Sequence, residues 1–257
     1  MIYLLSPAKT LDYESEVPAL RSTMPRFLEH SAELAGIMKK LKPADLEKLM
    51  GISTKLAELN AERFQNWQPK YGKKEARQAI LAFKGDVYQG LNASDWSKDD
   101  FSSAQKQIRI LSGLYGILRP LDLMLPYRLE MGKKITTERG SNLYHFWGEI
   151  LTDSLNKELK ASGDAVINLA SNEYFSAVKA KNLKAPVITP VFKDWKNGKY
   201  KVISFFAKKA RGTMAAWAIQ KKITTPSALK RFKADGYKFD KELSDDSSWV
   251  FTRKTEG

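Results

Sequence analysis

Four short apolar runs in this chain each end in small, polar or charged residues that could bind an anion or transfer a proton. The runs are residues 2–5, 80–83, 108–111 and 166–169. Ser6 and Lys9 follow the first run, and Asp86 and Tyr88 follow the second. Because ligands of open α/β sheets bind outside the carboxyl ends of strands, we expect the four segments to border one cleft. Such residues end strands in many proteins, so each segment alone is weak evidence for a functional site.

The stretch at residues 111–132 is rich in glycine and proline and carries Arg119 and Arg128. Pro120 restricts the backbone of Arg119, and a rigid arginine suits the binding of phosphate or carboxylate. Pairing of Arg119 with Asp122, and of Arg128 with Glu130, is an equally good interpretation. The candidate anion-binding residues are therefore Ser6, Lys9, Tyr88, Arg119 and Arg128, and the catalytic candidates are Asp86, Glu130 and Lys9. The sequence has no GxGxxG or Walker A motif, so the phosphate loops of those folds are not predicted.

Residues 44–65 have the pattern of two short helices joined by a tight turn. Gly51 permits the turn, Ser53 is a good N-cap, and Lys55 adds a positive charge. This pattern is similar to the helix-hairpin-helix motif, in which backbone amides at the second helix's N-terminus meet a DNA phosphate. The motif's usual second glycine is Ser53 here. Gly51, Ile52, Ser53 and Lys55 are candidate DNA contacts, although any helical hairpin can show such spacing.

Residues 179–233 carry fifteen Lys or Arg residues and one acid, Asp194. Subtracting these from the chain's 43 basic and 29 acidic residues leaves 28 of each, so this segment accounts for the net charge of +14. Cations that displace counterions from phosphates supply most nonspecific nucleic-acid affinity, so the segment suits a polyanionic partner, although from charge alone a merely soluble basic face is an equally good interpretation. The candidate DNA contacts here are Lys193, Lys208, Lys209, Arg211, Lys221 and Lys222.

The basic segment also has an internal order. We expect Lys208, Lys209 and Arg211 to precede a helix, where cations at the positive end of the dipole favour a bound anion. The aromatic residues Trp195, Tyr200 and Trp217 lie in the same segment. Stacking on exposed bases would favour distorted or single-stranded DNA, whereas packing in the core is their commoner role.

Apolar runs alternate with helical patterns at residues 27–41 and 143–159, which predicts a mixed α/β (α+β) fold. We expect a central, mostly β sheet with flanking helices, a helix-hairpin-helix and a positively charged cleft. Asn197 and Gly198 between apolar arms predict a β-hairpin within residues 191–206. The predicted last strand spans residues 249–252. No linker interrupts the sequence, so residues 1–257 are interpreted as one domain.

The composition excludes several classes of protein. The chain has no cysteine and only two histidines, so disulfides, thiolate metal sites and iron–sulfur clusters are excluded, and no metal site or cofactor is predicted. No run approaches the roughly 18 apolar residues of a membrane span, and the N-terminus does not resemble a signal peptide. We expect a soluble, cytoplasmic protein without a membrane partner, and the oligomeric state stays open.

Several blocks of sequence resemble the YaaA peroxide-stress protein family across essentially the full chain. The blocks are residues 6–11, 83–88, 111–116, 119–121, 126–131, 146–147, 168–171, 173–174 and 207–212. The resemblance implies a bacterial cytoplasmic protein that limits oxidative damage by hydrogen peroxide and is linked to lower intracellular iron. It also implies a mixed α/β fold with a basic cleft and a helix-hairpin-helix, and DNA binding with little sequence preference.

Two functional hypotheses follow. The first is a DNA-binding protein that binds the phosphates of double-stranded, distorted or single-stranded DNA with little dependence on base sequence. The alternative is an enzyme acting on a nucleobase, nucleotide or DNA lesion, with Asp86 or Glu130 as general acid or base. Direct iron sequestration is the weakest alternative, since the chain lacks cysteine and has few histidines. No reaction is identifiable from the sequence.

Overall fold

The computed structural model describes residues 1–159 and 164–254. Its α-helices are α1 Leu28–Met38, α2 Pro43–Met50, α3 Thr54–Asn66, α4 Ala79–Ala82, α5 Asp86–Leu91, α6 Lys98–Gln107, α7 Leu143–Trp147, α8 Ile150–Glu158, α9 Asn172–Phe175 and α10 Ser204–Gln220. Short 3-10 helices lie at Ala93–Asp95, Ala180–Asn182, Pro226–Arg231 and Ala234–Gly236.

The strands are β1 Ile2–Leu5, β2 Thr10–Leu11, β3 Arg77–Gln78, β4 Phe83–Lys84, β5 Ile108–Ser112, β6 Gly116–Leu118, β7 Leu123–Met124, β8 Val166–Leu169, β9 Val187–Lys196, β10 Lys199–Lys201, β11 Lys238–Asp240 and β12 Ser248–Arg253. Within the described ranges, eight of them form one sheet in the order β11-β12-β9-β8-β1-β5-β6, with β10 paired to β9. The strands from β12 to β5 run parallel, while β6, β10 and β11 are antiparallel to their neighbours. The predicted mixed α/β fold is confirmed.

The middle of the sheet is buried on both faces. Every residue of β1, β5 and β8 is buried, which explains why apolar residues occupy successive rather than alternating positions in these strands. The buried polar exceptions are Arg109, Ser112 and Asn168. The core around them extends along the chain from Ile2 to Phe251. It also takes in five of the seven methionines, which are Met38, Met50, Met124, Met131 and Met214.

The prediction of a strand at residues 80–83 is wrong. Residues 79–82 form a turn of helix, α4, and only Phe83–Lys84 is extended, antiparallel to Thr10–Leu11. The backbone amides of Ala79 and Ile80 donate to the carbonyls of Asp122 and Pro120, at 2.8 and 3.1 Å. A four-residue apolar run has no periodicity that separates a buried strand from a buried helix, so the sequence could not distinguish them.

The predicted helix at residues 143–159 is two helices. Gly148, with φ +47°, ends α7, and α8 begins two residues later. The backbone amide of Gly148 donates to the carbonyl of Tyr144 at 3.0 Å. Positive φ favours glycine, and the sequence pattern of apolar residues continues through it because both helices bury the same side.

The predicted hairpin is confirmed, but the helix after it begins earlier than expected. Asn197 and Gly198 have φ of +54° and +77°, as the turn between β9 and β10 requires. Helix α10 starts at Ser204, so Lys208, Lys209 and Arg211 lie inside the helix rather than before it. The expected gathering of cations at the helix start is therefore wrong. Phe205 and Phe206, in the first turn of α10, are exposed and do not continue the helical spacing of the buried apolar residues. The apolar pattern therefore did not show where the helix begins.

Helices α2 and α3 are joined by a three-residue turn at the place where the spacing predicted two helices. Gly51 has φ +63°, and its amide donates to the carbonyl of Glu47 at 2.8 Å. Ser53 occupies the N-cap of α3 without a side-chain capping bond, and Ile52 is buried. Gly51, Ser53 and Lys55 are exposed. A role of this turn in binding DNA stays a prediction.

Helices α5 and α10 cross with their backbones in contact, because a glycine lies on each side of the crossing. A Cβ atom at Gly90 would lie 2.0 Å from the carbonyl oxygen of Lys209, and one at Gly212 would lie 1.8 Å from that of Val87. Neither position admits a side chain. The crossing therefore fixes the distance between the first turn of α5 and the middle of α10.

None of the helices in residues 1–159 and 164–254 combines the length and apolarity needed to cross a membrane.

Replacing Gly212 with alanine tests this crossing. Gly212→Ala is expected to lower the free energy of unfolding by about 1–3 kcal/mol, the usual cost of overpacking. The matched control is Gly36→Ala in α1, where a Cβ meets nothing within 4 Å. That control should be neutral or stabilising by about 0.5–1 kcal/mol, because alanine is the better helix former. Urea denaturation measures both, and equal stability of Gly212→Ala and the wild type would contradict the expectation.

Candidate functional site

A pocket of about 400 Å³ lies at the carboxyl ends of β1 and β8, where α5, α9 and α10 meet. This is the edge of the sheet at which the sequence predicted a cleft. Its chemically active lining residues are Ser6, Lys9, Lys84, Asp86, Tyr88, Glu130, Ser171, Glu173, Tyr174, Lys208 and Arg211. Four cations therefore face three carboxylates, and the pocket carries a formal excess of one positive charge.

Ser6 joins the three elements that build the pocket floor. Its hydroxyl donates to the hydroxyl of Ser171 at 3.2 Å and accepts the backbone amide of Ser171 at 2.9 Å. Its carbonyl accepts the hydroxyl of Tyr88 at 3.0 Å. The residue after β1 is thus tied to the end of β8 and to helix α5.

Glu130 enters the pocket from the loop that follows β7. Its Oε1 atom accepts two hydrogen bonds from Arg128, at 3.0 and 3.2 Å, and lies 3.7 Å from the ammonium of Lys9. Its Oε2 atom is buried and receives no hydrogen bond from the described residues. The loop lies close to β5, since a Cβ at Gly113 would lie 2.3 Å from the carbonyl oxygen of Leu129.

Asp86 and Arg211 come from the two crossing helices. The carboxylate of Asp86, in the first turn of α5, lies 4.0 Å from the ammonium of Lys208 in α10. Arg211 lies one turn further along α10, and burial lowers the pKa of its guanidinium. No carboxylate of the described residues lies within 4.0 Å of Arg211. The pocket thus holds a half-buried cation that has no carboxylate partner among the described residues.

Two tyrosines of the lining are held in the protonated form. Burial raises the pKa of Tyr88 well above its ordinary value. Burial also raises the pKa of Tyr174, with smaller contributions from Tyr127 and from the carboxylates of Glu173 and Glu130. Both hydroxyls can therefore serve as hydrogen-bond donors at neutral pH, but not as anions.

The structure brings most of the predicted cleft residues together. Ser6, Lys9, Asp86, Tyr88 and Glu130 all line the pocket. Lys208 and Arg211, which the sequence placed among the DNA contacts, line it as well. Their roles in binding or catalysis stay predictions, since proximity by itself does not identify a reaction.

The two remaining candidates of the cleft have other positions. Arg128 lies behind Glu130 and binds it. Arg119 is not part of the lining, and its guanidinium binds the fully buried carboxylate of Asp122 at 2.8 Å. Its internal pairing is thus the interpretation that the structure supports. A role of Arg119 in binding an anion stays a prediction.

The other basic candidates lie outside the pocket. Lys209 is exposed on α10, while Lys221 and Lys222 are exposed just after its end. Lys193 is half-buried in β9, and Lys55 is exposed on α3. These five cations belong to surfaces beyond the strand ends.

Some lining residues were not among the candidates. Ser171, Glu173 and Tyr174 follow β8, and Glu173 accepts the amide of Gly132 at 3.0 Å. Their signal in the sequence was the same strand-end position that singled out Ser6. The part of the chain that the structure describes contains no group of three or more His, Asp or Glu side chains arranged to hold a metal ion.

The fold and the site define a mixed α/β protein with a polar, cation-rich pocket at the carboxyl end of a mainly parallel sheet. Residues 1–243 match the family model described as peroxide stress protein YaaA. The chain belongs to that family, and its role lies in peroxide stress.

Relatives named UPF0246 protein are similar over almost the full length. The relatives from Teredinibacter turnerae and Hahella chejuensis are each 56% identical, over 255 and 254 residues. That from Saccharophagus degradans is 57% identical over 255 residues. The alignments cover 98–99% of this chain and 99–100% of these relatives.

Removing the guanidinium of Arg119 tests its structural role. Arg119→Ala is expected to lower the free energy of unfolding by about 3 kcal/mol, because it leaves a buried carboxylate without its counter-ion. The control is Arg21→Ala, at an exposed arginine, which should change stability by less than about 0.5 kcal/mol. Both are measured by chemical denaturation. An Arg119→Ala protein that is fully stable but binds anions less tightly would return Arg119 to the binding site.

Proposed function

We propose that this protein acts in peroxide stress by binding DNA through phosphate contacts, with little dependence on base sequence. The observation that carries the proposal is the uncompensated charge of residues 179–233. Of the fifteen basic residues there, only Lys208 has a carboxylate within 4.0 Å among the described residues. Unpaired cations in such density favour a polyanion, since each can replace a counterion of the phosphate backbone.

The tip of the β9–β10 hairpin supports this proposal. Lys196 and Lys199 are directly opposite each other across the hairpin, and both are exposed. Like charges at directly opposed positions destabilise a strand pair. A phosphate between or beside the two ammonium groups would turn this repulsion into attraction.

Aromatic side chains of this segment contact two cations at the end of β12 and just after it. In this proposal they form one surface with the neighbouring lysines, which we call the basic–aromatic surface and which consists of Trp195, Lys196, Lys199, Tyr200, Phe205, Phe206, Lys208, Lys209, Arg253 and Lys254. Lys254 lies over the ring of Trp195 at 5.2 Å, and Trp195 contacts Tyr200 with ring centroids 4.9 Å apart. Arg253 lies over the ring of Phe206 at 4.7 Å, and Phe206 contacts Phe205.

Three of the aromatic rings of this surface are unusually exposed. Trp195, Phe205 and Phe206 have 39%, 51% and 40% of their surface accessible. Large apolar side chains in such exposure mark interaction sites more often than they serve the fold. Bases stack on aromatic rings without regard to their identity, so the surface suits strands whose bases are unpaired or distorted.

The turn between α2 and α3 offers a second phosphate contact. Gly51, Ser53 and Lys55 are exposed there, and the backbone amides of the first turn of α3 have no partners within that helix. The side chain of Ile52 is buried and anchors the turn, so in this proposal the residue contacts DNA only through its backbone. In this proposal the turn adds affinity for the backbone but no sequence preference.

Neutralising the hairpin tip tests the main contact. The Lys196→Gln/Lys199→Gln double variant is expected to bind duplex DNA more weakly, whatever its sequence. The slope of log K against log salt should fall by about 0.9 for each phosphate that the variant no longer neutralises, or by about 0.7 on single strands. Fluorescence anisotropy over a range of salt concentrations measures both quantities. The control is Lys74→Gln, at an exposed lysine outside the basic segment. An affinity for DNA that does not depend on salt, or that requires one base sequence, would contradict the proposal.

The turn between α2 and α3 is tested separately. Lys55→Gln is expected to weaken duplex binding and to lower the salt slope by about 0.9, the value for one phosphate, whereas Lys48→Gln should not. Lys48 is the matched control because it is an exposed lysine in the preceding helix, away from the amides of α3. Equal effects of the two substitutions would show that general charge, not the turn, provides the affinity.

A further inference from the structure

The pocket at the carboxyl ends of β1 and β8 contains a lysine amine that faces a carboxylate. Lys208 and Asp86 both line it, and the ammonium nitrogen lies 4.0 Å from the nearer carboxylate oxygen. This distance is longer than a hydrogen bond, so the carboxylate does not hold the amine in place. The side chains of Lys208 and Asp86 are 53% and 27% exposed, and a ligand in the pocket can therefore reach both of them.

The crossing of α5 and α10 fixes where these two side chains begin. The carbonyl of Lys209, the residue after Lys208, lies against Gly90, and the carbonyl of Val87, the residue after Asp86, lies against Gly212. Each of the two residues thus adjoins a backbone contact between the helices. Such rigidity suits a chemical step, since reacting groups must be held in one geometry.

A site for an anion lies next to the amine. Arg211 follows Lys208 by three residues in α10, so the two side chains lie on the same face of the helix. Arg211 is half-buried, lines the pocket and has no carboxylate within 4.0 Å among the described residues. A guanidinium in this position suits a phosphate. Lys208 also belongs to the basic–aromatic surface, so a DNA strand bound on that surface passes beside the pocket.

The combination of an amine, a carboxylate and an anion site indicates carbonyl chemistry. A lysine amine forms an imine with an aldehyde, and a nearby carboxylate can transfer the protons that this reaction requires. Intact DNA contains no aldehyde. A nucleotide that has lost its base does, because its sugar opens to an aldehyde at C1′ while the phosphates remain attached.

The size of the pocket fits such a nucleotide. A volume of about 400 Å³ accommodates a sugar with its phosphate. Turning a nucleotide out of a duplex costs unpairing and unstacking energy, and this cost is lowest for damaged nucleotides. A nucleotide without a base has neither a pair nor a stacked ring to lose. It therefore enters a pocket beside the strand more readily than an intact nucleotide.

We propose that Lys208 forms an imine with the C1′ aldehyde of an abasic deoxyribose phosphate, with Asp86 transferring protons and Arg211 binding a phosphate. In DNA this reaction cleaves the strand at the abasic site. The cleavage rests on the proposed binding of DNA, which brings the strand to the pocket.

The reaction needs water as its only co-reactant. Asp86 takes a proton from the ammonium of Lys208, the amine attacks C1′, and Asp86 returns the proton as the former carbonyl oxygen leaves as water. Asp86 then removes a proton from C2′, the electron pair moves toward C3′, and the bond from C3′ to its phosphate oxygen breaks. Water hydrolyses the imine, which releases an unsaturated aldehyde and restores the ammonium of Lys208. The proton on Asp86 passes to solvent.

Trapping with sodium borohydride tests the imine. Borohydride reduces an imine to a stable secondary amine, so the wild-type protein is expected to form a covalent complex with a duplex that carries one abasic site. The complex is detected on a denaturing gel, and its attachment site is identified by mass spectrometry of the peptides. An intact duplex should give no complex. Absence of a complex with the abasic duplex, or attachment spread over several lysines, would overturn the inference.

A matched pair of substitutions assigns the amine. Lys208→Gln is expected to lose the covalent complex, because glutamine has no amine that forms an imine. The control is Lys209→Gln, which removes the same charge from the next residue, exposed on α10 and outside the lining of the pocket. This variant should still be trapped. Equal trapping of the two variants would show that Lys208 is not the reacting amine.

The carboxylate is tested by the rate of strand cleavage without borohydride. Asp86→Asn is expected to slow the cleavage of the abasic duplex by about 100-fold or more, the usual contribution of a general base. Its binding of the intact duplex should not weaken, since the substitution removes no positive charge. Equal cleavage rates in Asp86→Asn and the wild type would contradict the role of Asp86.

The same aldehyde occurs in free 2-deoxyribose 5-phosphate, and competition distinguishes the two sources. Trapping of the abasic duplex that an excess of the free sugar phosphate does not prevent identifies DNA as the substrate. Trapping of the sugar phosphate on Lys208, without trapping of the duplex, identifies the free compound. Fluorescence anisotropy with the intact duplex tests DNA binding alone. Binding of that duplex without any trapping would leave the proposed function standing and overturn this inference.

Discussion

The contact between the backbones of α5 and α10 determines the geometry of the whole site. Gly90 and Gly212 let the two helices meet at a distance that no side chain permits. This brings Asp86 of one helix near Lys208 of the other and places Arg211 in the same cavity. A wider separation of the helices would open the pocket toward the sheet and expose the guanidinium to water. Close approach of the two backbones thus places the half-buried guanidinium of Arg211 in the same pocket as Asp86.

Charge is distributed in this chain in two different ways. Arginines in the body of the protein pair with carboxylates, as Arg119 does with Asp122, Arg128 with Glu130 and Arg253 with Asp194. Among the residues that the structure describes, the lysines between residues 179 and 233 do so only at Lys208. The first arrangement serves the fold, since pairing limits the cost of burying a charge. The second has no structural need and is consistent with a partner that supplies the missing negative charge.

Much of the fold follows from the sequence, and the exceptions have physical causes. The boundaries of β1 and β8 follow from their apolar runs, and the hairpin follows from Asn197 and Gly198. The site was predictable as a strand-end cleft, even though residues 80–83 are not a strand, because the chain still returns at β4 beside β2, the short strand that follows β1. The position of Arg211 was not predictable, since exposed aromatics hide the start of α10. Nor could local sequence show that one oxygen of Glu130 receives no hydrogen bond from the described residues, because this depends on parts of the chain that are distant in sequence.

The distribution of sulfur has a consequence for a protein that works during peroxide stress. Hydrogen peroxide oxidises thiolates first and thioethers more slowly, and a methionine sulfoxide disrupts the core that contains it. This chain has no thiol, and five of its seven methionines are shielded in the interior. The oxidant therefore finds few targets on the folded molecule. The folded chain is therefore suited to remain intact in the presence of the oxidant.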